Sequence, residues 1–218
     1  TRYEAQRQEL DGERLVTEAK QTAGLTDFGP FEFMPALTKL LDCFARDMPL
    51  SANGIALLKA DIVRLLVNRL RMQKDIEAHP EILEEDVSDP FVIVGLPRSG
   101  TTKLHKMLSA PGTVQKTLFW KLLNPAPFPH AEPGALDPRI AAVMNSGLLT
   151  DDKPDMNAAH RIALEEVEEE GLVYQMSFKD FAWDMLLNSG EYFNWLMSES
   201  SEENYRLART VFQYLQWQ

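Results

Sequence analysis

The sequence predicts an α/β protein: a parallel sheet flanked by helices, behind a helical N-terminal extension. Three observations predict it. Apolar residues recur at helical spacing through the first ninety positions, one β-branched run stands at Phe91–Gly95, and a glycine-bounded turn leads from that run into another helical pattern. The expected division is residues 1–89 for the extension and 90–218 for the first part of the sheet-bearing domain.

The elements follow in order. Leu37, Leu40, Leu41 and Phe44 fall on one helix face, and Ile55, Leu58, Ile62, Leu65, Leu66, Arg69 and Leu70 form a second stripe behind Ser51, a good N-cap. Both stripes read as core faces. His79-Pro80 breaks the helical run, and Glu81, Glu84, Glu85, Asp86 and Asp89 mark a solvated approach to the next element. Phe91-Val92-Ile93-Val94-Gly95, bounded by Pro90, suits a strand buried on both faces. Thr101 to Ser109 has helical spacing, and Thr113 to Trp120 reads as a second, weaker strand. Asp137-Pro138 supplies the N-cap and first turn of a helix to about Leu149, and Ser200-x-x-Glu203 a capping box ahead of Tyr205, Ala208, Val211, Phe212 and Leu215. That last pattern runs into Gln218 with no Gly or Pro to stop it, and one strong strand with one weak one cannot make a stable parallel sheet. The expectation is therefore the N-terminal part of a longer polypeptide, or one with its C-terminal part missing.

Composition narrows the function classes. Over 218 residues, 44% hydrophobic and 25% charged side chains describe a globular chain rather than a disordered one. The net charge of −11, from 22 Lys+Arg against 33 Asp+Glu, excludes a general nucleic-acid binder, which needs a basic footprint. A single Cys43 cannot form an internal disulfide and favours a reducing compartment, so a cytoplasmic location is expected. No run of 18 apolar residues occurs, so no signal peptide or integral membrane segment is expected.

Charge is unevenly distributed. Residues 91–121 carry Arg98, Lys103, Lys106, Lys116 and Lys121 and no acid, an island of basic charge in an acidic chain. Inside it lies Gly95-Leu96-Pro97-Arg98-Ser99-Gly100-Thr101-Thr102, a G-x-x-x-x-G loop between strand and helix, where backbone N–H groups and a helix N-terminus cradle anions. Thr101 stands where a Walker A loop has its phosphate-clamping Lys, which disfavours ATP or GTP hydrolysis; Arg98 offers a permanently charged planar fork instead.

The run Pro90 to Thr102 resembles the 5′-phosphosulfate loop of sulfotransferases that use 3′-phosphoadenosine 5′-phosphosulfate (PAPS), in particular the bacterial branch whose loop reads Pro-Arg-Ser/Thr-Gly-Thr-Thr. Leu50 to Gly54, Asp61-Ile62-Val63, Asn68 to Arg71 and His79 to Ile82 resemble the helical N-terminal extension of that branch. Trp120-Lys121-x-x-Asn124-Pro125-x-Pro127, His160 with the acidic run Glu165 to Glu170, and Met176-Ser177-Phe178 continue the likeness, which covers most of the chain from about residue 50.

The resemblance implies a P-loop-like sulfotransferase domain and a division of labour. Pro97, Arg98, Ser99, Gly100, Thr101 and Thr102 would hold the 5′-phosphosulfate of PAPS, and Arg98 would stabilise charge on the bridging oxygen as sulfuryl is transferred. His160 matches a family histidine followed, some eight residues on, by paired acids, here Glu168 and Glu169. It would serve as the general base, with Glu169 its carboxylate rival and His105 a second histidine candidate. The acid run could chelate a metal, yet so dense a run reads first as a solvated face, and no metal is expected. The implied acceptor is a small-molecule, lipid or glycan hydroxyl, and a homo-oligomer is compatible with the family. Lys121 replaces the Glu that commonly follows Trp120 in the branch. The segment that would bind the 3′-phosphate is not in these residues. Two other readings remain at this stage: a P-loop kinase or NTPase, and a non-catalytic helical module with a degenerate anion loop.

Overall fold

The computed structural model describes residues 1–96, 99–112, 114–129 and 134–218. Helices run in the order α1 (Arg2–Glu9), α2 (Gly12–Ala23), α3 (Met34–Asp47), α4 (Ala52–Ala78), α5 (Thr101–Leu108) and α6 (Phe119–Leu123). There follow α7 (Pro138–Met144), α8 (Pro154–Ala159), α9 (Gly171–Tyr174), α10 (Phe181–Leu187), α11 (Gly190–Ser198) and α12 (Glu202–Trp217). Short 3-10 helices follow α4, at Pro80–Glu84, and α9, at Gln175–Ser177.

Local chemistry sets the helix ends. Ser51 accepts the amide N–H of Gly54 at 3.1 Å and opens α4 as predicted, and His79, ahead of Pro80, closes it. Two predicted boundaries move. Helix α7 starts on the Asp137 cap but stops at Met144 rather than near Leu149, ahead of Gly147 with its left-handed φ of 71°. Helix α12 takes Ser201 as N-cap, one residue late, and the Ser200–Glu203 capping box does not form, since Ser200 Oγ accepts the Glu202 amide instead.

The stripes on α3 and α4 are core, as their spacing predicts. Leu37, Leu40, Leu41 and Phe44 join Ile62, Leu65, Leu66 and Leu70 in one continuous cluster. That cluster also takes Leu10, Leu15 and Ala19 from the N-terminal turns and Trp183, Tyr192, Leu207, Val211 and Tyr214 from the last three helices. Phe44 meets Trp183 edge-on, their ring centroids 6.1 Å apart, and Phe178 stacks on the same indole at 6.5 Å. Arg69, part of the predicted stripe, is only 1% exposed. Its guanidinium donates to the carbonyls of Met176, at 3.1 Å, and Phe31, and lies 4.6 Å over the Phe33 ring. It pins α4 to the segments on either side, and burial pulls its pKa down to about 10.

The parallel sheet is where the sequence expectation and the structure part. Among the described residues there is no strand, and the pairing outside the helices is an isolated antiparallel bridge between Leu118 and Val167. Phe91–Leu96 is irregular, with Phe91 83% exposed and Val94 88% exposed. A strand needs a neighbour to complete its ladder of N–H and C=O groups, and none runs beside this segment among the described residues. The second, weaker strand expected at Thr113 to Trp120 reduces to the Leu118 bridge, because α6 takes over from Phe119; Thr113 lies outside the described residues.

A second, smaller cluster of Phe119, Trp120, Leu123 and Val143, with Ile140, Leu149, Ile162, Leu164 and Leu172 packed around it, joins α6 and α7 to the chain before α9. No helix among the described residues is long and apolar enough to cross a membrane.

Candidate functional site

The turn into α5 is crowded around Gly95. A Cβ on Gly95 would lie 2.8 Å from both Ser99 Oγ and Thr101 Cγ2, so a side chain there would push those two side chains from their places. Ser99 closes the turn on Leu96, whose carbonyl accepts the Ser99 hydroxyl at 2.6 Å and its amide at 3.2 Å. Gly100, with a φ of 95°, takes the left-handed conformation and serves as N-cap of α5, with no side chain capping the end. By helix geometry the first-turn amides have no intrahelical partner, so this end presents N–H groups and the positive end of the helix dipole. Pro97 and Arg98 lie outside the described residues.

A cleft of about 590 Å³ opens beside this helix end. Gly100, Thr101, Thr102, Lys103, Lys106, Met107 and Ala110 form one wall, and Asn157, Ala158, His160 and Arg161 the other. The opposite wall is held by the pairing of Thr117–Phe119 with Glu166–Glu168: the Glu168 amide donates to Thr117 O at 2.9 Å, the Thr117 hydroxyl to Glu168 O at 3.0 Å, and the Phe119 amide to Glu166 O at 3.1 Å. Thr150, fully buried, ties down the start of the same segment through its bonds to Ile162.

This pairing splits the acid run, which is not a uniformly solvated face. Glu165, Glu169 and Glu170 are exposed, Glu166 is half-buried, and Glu168 is buried. Glu166 bonds both Lys106 of α5 and Arg161, and so straps the two walls together; Arg161 also meets Asp151 at 3.2 Å. Both Glu168 carboxylate oxygens reach His160 Nε2, at 3.0 and 3.1 Å. Glu169 Oε1 accepts the Thr102 hydroxyl at 3.3 Å. His160, Glu168 and Glu169 each offer a ligand atom within 4.8 Å of the others, a spacing that a cation could bridge.

Of the residues named from sequence, Gly100, Thr101, Thr102 and His160 line one cleft, and Glu169 stands beside it through Thr102. Ser99 shapes the turn behind them. His105 does not line the cleft; its carbonyl accepts the Ser109 hydroxyl at 2.7 Å within α5. Of the basic island, Lys103 and Lys106 line the cleft, whereas Lys121 lies against the Trp120 ring, where burial and the nearby Arg139 push its pKa down. Sequence reasoning missed the Lys106–Glu166–Arg161 strap and the burial of Glu168. The available signal was the alternation of Glu166, Val167 and Glu168, which places both acids on the face opposite Val167.

Residues 90–214 match the sulfotransferase family model, and the chain belongs to that family. It is similar to two solved mycobacterial structures. One is sulfotransferase STF1 from Mycobacterium tuberculosis H37Rv, with 25% identity and a TM-score of 0.75 over 93% of this chain and 56% of that one. The other is sulfotransferase STF9 from Mycobacterium avium, with 24% identity and a TM-score of 0.79 over 94% of this chain and 54% of that one. The second likeness carries the fold alone, and the chain spans a little over half the length of each. No curated protein matches it significantly.

Proposed function

We propose that the full-length protein transfers a sulfuryl group from PAPS to a hydroxyl on a small-molecule, lipid or glycan acceptor, leaving a sulfate ester and 3′-phosphoadenosine 5′-phosphate. The observation that carries this reading is the cleft itself, which sets the uncapped N-terminus of α5 opposite His160.

In the proposed step the acceptor oxygen attacks sulfur as its proton passes to His160. The new S–O bond forms while the bond from sulfur to the bridging phosphate oxygen breaks, and its electron pair stays on the departing phosphate. Charge therefore grows on the leaving group, where the Pro97–Thr102 loop and the α5 amides lie in this proposal, and Arg98 neutralises it. Glu169 is the rival base in this proposal; its bond to Thr102 supports that reading, and its exposed side chain is the less firmly held of the two. Transfer is proposed to need no metal, and activity surviving a chelator checks that against the cation-compatible spacing of His160, Glu168 and Glu169.

In this proposal residues 1–89 are the helical extension and residues 90–218 the first part of the donor-binding domain, sharing one core. Phe91–Gly95 pairs into a parallel sheet in the full-length fold, and the protein works in the cytoplasm. Calorimetry tests the donor: 3′-phosphoadenosine 5′-phosphate is expected to bind far more tightly than ATP without magnesium. Magnesium-dependent ATP binding of equal strength would favour the kinase reading instead.

A further inference from the structure

Beyond the base itself, we infer that Glu168 is the positioning residue that fixes the tautomer and orientation of His160; this rests on the reading of His160 as the base. A carboxylate presents only acceptors, so the imidazole nitrogen it binds must carry the proton. With Nε2–H shared between the two Glu168 oxygens, Nδ1 holds the lone pair, and among the described residues Nδ1 has no hydrogen-bond partner. The ring is part of the cleft wall, so this lone pair is the one available to an acceptor hydroxyl.

Glu168 is suited to the role because it cannot wander. It is 9% exposed, and its Oε1 accepts the Glu169 amide at 3.0 Å, while its own main chain is anchored to Thr117 from both sides. Those main-chain bonds do not depend on the side chain, which separates the carboxylate's role from the fold of the segment. A fixed anion behind the ring also stabilises the imidazolium formed when the proton is taken, as outer partners of functional histidines do elsewhere. The neighbouring Glu169 carboxylate, within 4.8 Å of the ring, is exposed and bonded to Thr102 instead of His160. The other charges lining the same cleft are Lys103 and Lys106 from α5 and Arg161 beside the histidine, the latter two paired with Glu166.

The test is a double-mutant cycle in the full-length protein, with kcat and the donor KM measured for turnover from PAPS. Glu168→Gln is expected to lower kcat by about 10–100-fold with the donor KM within twofold, because the ring loses the partner that orients it. Glu168→Asp recovers part of the rate. In a His160→Ala background, Glu168→Gln adds no further loss, since a residue acting through His160 has nothing left to act on. Normal turnover in Glu168→Gln, with His160→Ala impaired, overturns the positioning role alone; so does a full additional loss in the double variant. Normal turnover in His160→Ala overturns the base reading and this inference with it. Should Glu168→Gln fail to fold, NMR of the ring nitrogens in the unaltered protein decides: a protonated Nε2 is expected, and a protonated Nδ1 contradicts the proposal.

Discussion

Two regions of this chain treat similar apolar runs in opposite ways. In the helical body, the stripes of α3 and α4 close on one another and on the last three helices, and even Arg69 is drawn into the interior. In the stretch from Phe91 through α5, Phe91, Val92, Val94, Leu96, Leu104 and Met107 all stand exposed, and no residue of α5 is buried. The difference teaches what each region is for. The body is a fold-bearing unit whose residues are held by packing, whereas the described residues before α5 are held by the Ser99–Leu96 bonds and the left-handed Gly100, and the anion site is proposed there.

The largest expected effect lies in the body. Trp183→Ala removes the indole that Phe44 and Phe178 pack against and is expected to lower stability by about 3–5 kcal/mol, read by denaturant unfolding. A loss below about 1 kcal/mol would mean the body is not the stabilising unit.

The next effect depends on pH. Burial pushes the Asp180 carboxyl up to about 6, against the lowering pull of the Ala182 and Phe181 amides. Because the folded value lies above the ordinary one, its contribution is present below pH ~4 and is lost as pH rises through about 6. Asp180→Asn, which keeps a capping oxygen without the charge, is expected to raise stability by on the order of 2 kcal/mol at pH 8 and to leave it unchanged at pH 4. Thermal melts at the two pH values check the sign.

The smallest effects fall on the turn. Thr102→Val removes the hydroxyl that meets Glu169 and is expected to leave the melting temperature within a degree or two, while weakening 3′-phosphoadenosine 5′-phosphate binding by about tenfold, the worth of one charge-assisted hydrogen bond. Hydrogen exchange sharpens the same contrast: the amides of Val92 to Val94 should exchange freely in the 218-residue chain and become protected in the full-length protein if they pair into a sheet.

How far each region was legible in the sequence follows from the range of its contacts. The helical spacing of Leu37 to Phe44 and Ile55 to Leu70, the Ser51 cap and the His79-Pro80 stop are local signals, and local structure obeys them. The turn was legible too, since Gly95 and Gly100 stand where close approach and a left-handed φ require them. Phe91–Gly95 was read as a strand from composition, but pairing is a long-range property that composition cannot supply. The same limit hid the Lys106–Glu166–Arg161 strap: its partners are 60 residues apart in one bond and five in the other, and the pairing of Thr117–Phe119 with Glu166–Glu168 brings the distant segments together.

The central claim is that the turn before α5 stabilises a departing phosphate, and Arg98→Ala tests it most directly. Sulfuryl transfer from PAPS by the full-length protein, measured beside a thermal melt, should fall by about 10²–10³-fold in the variant, the usual cost of losing one preorganised charge stabiliser, with the melting temperature unchanged. Near-normal turnover in Arg98→Ala, with the same melting temperature, would contradict the account.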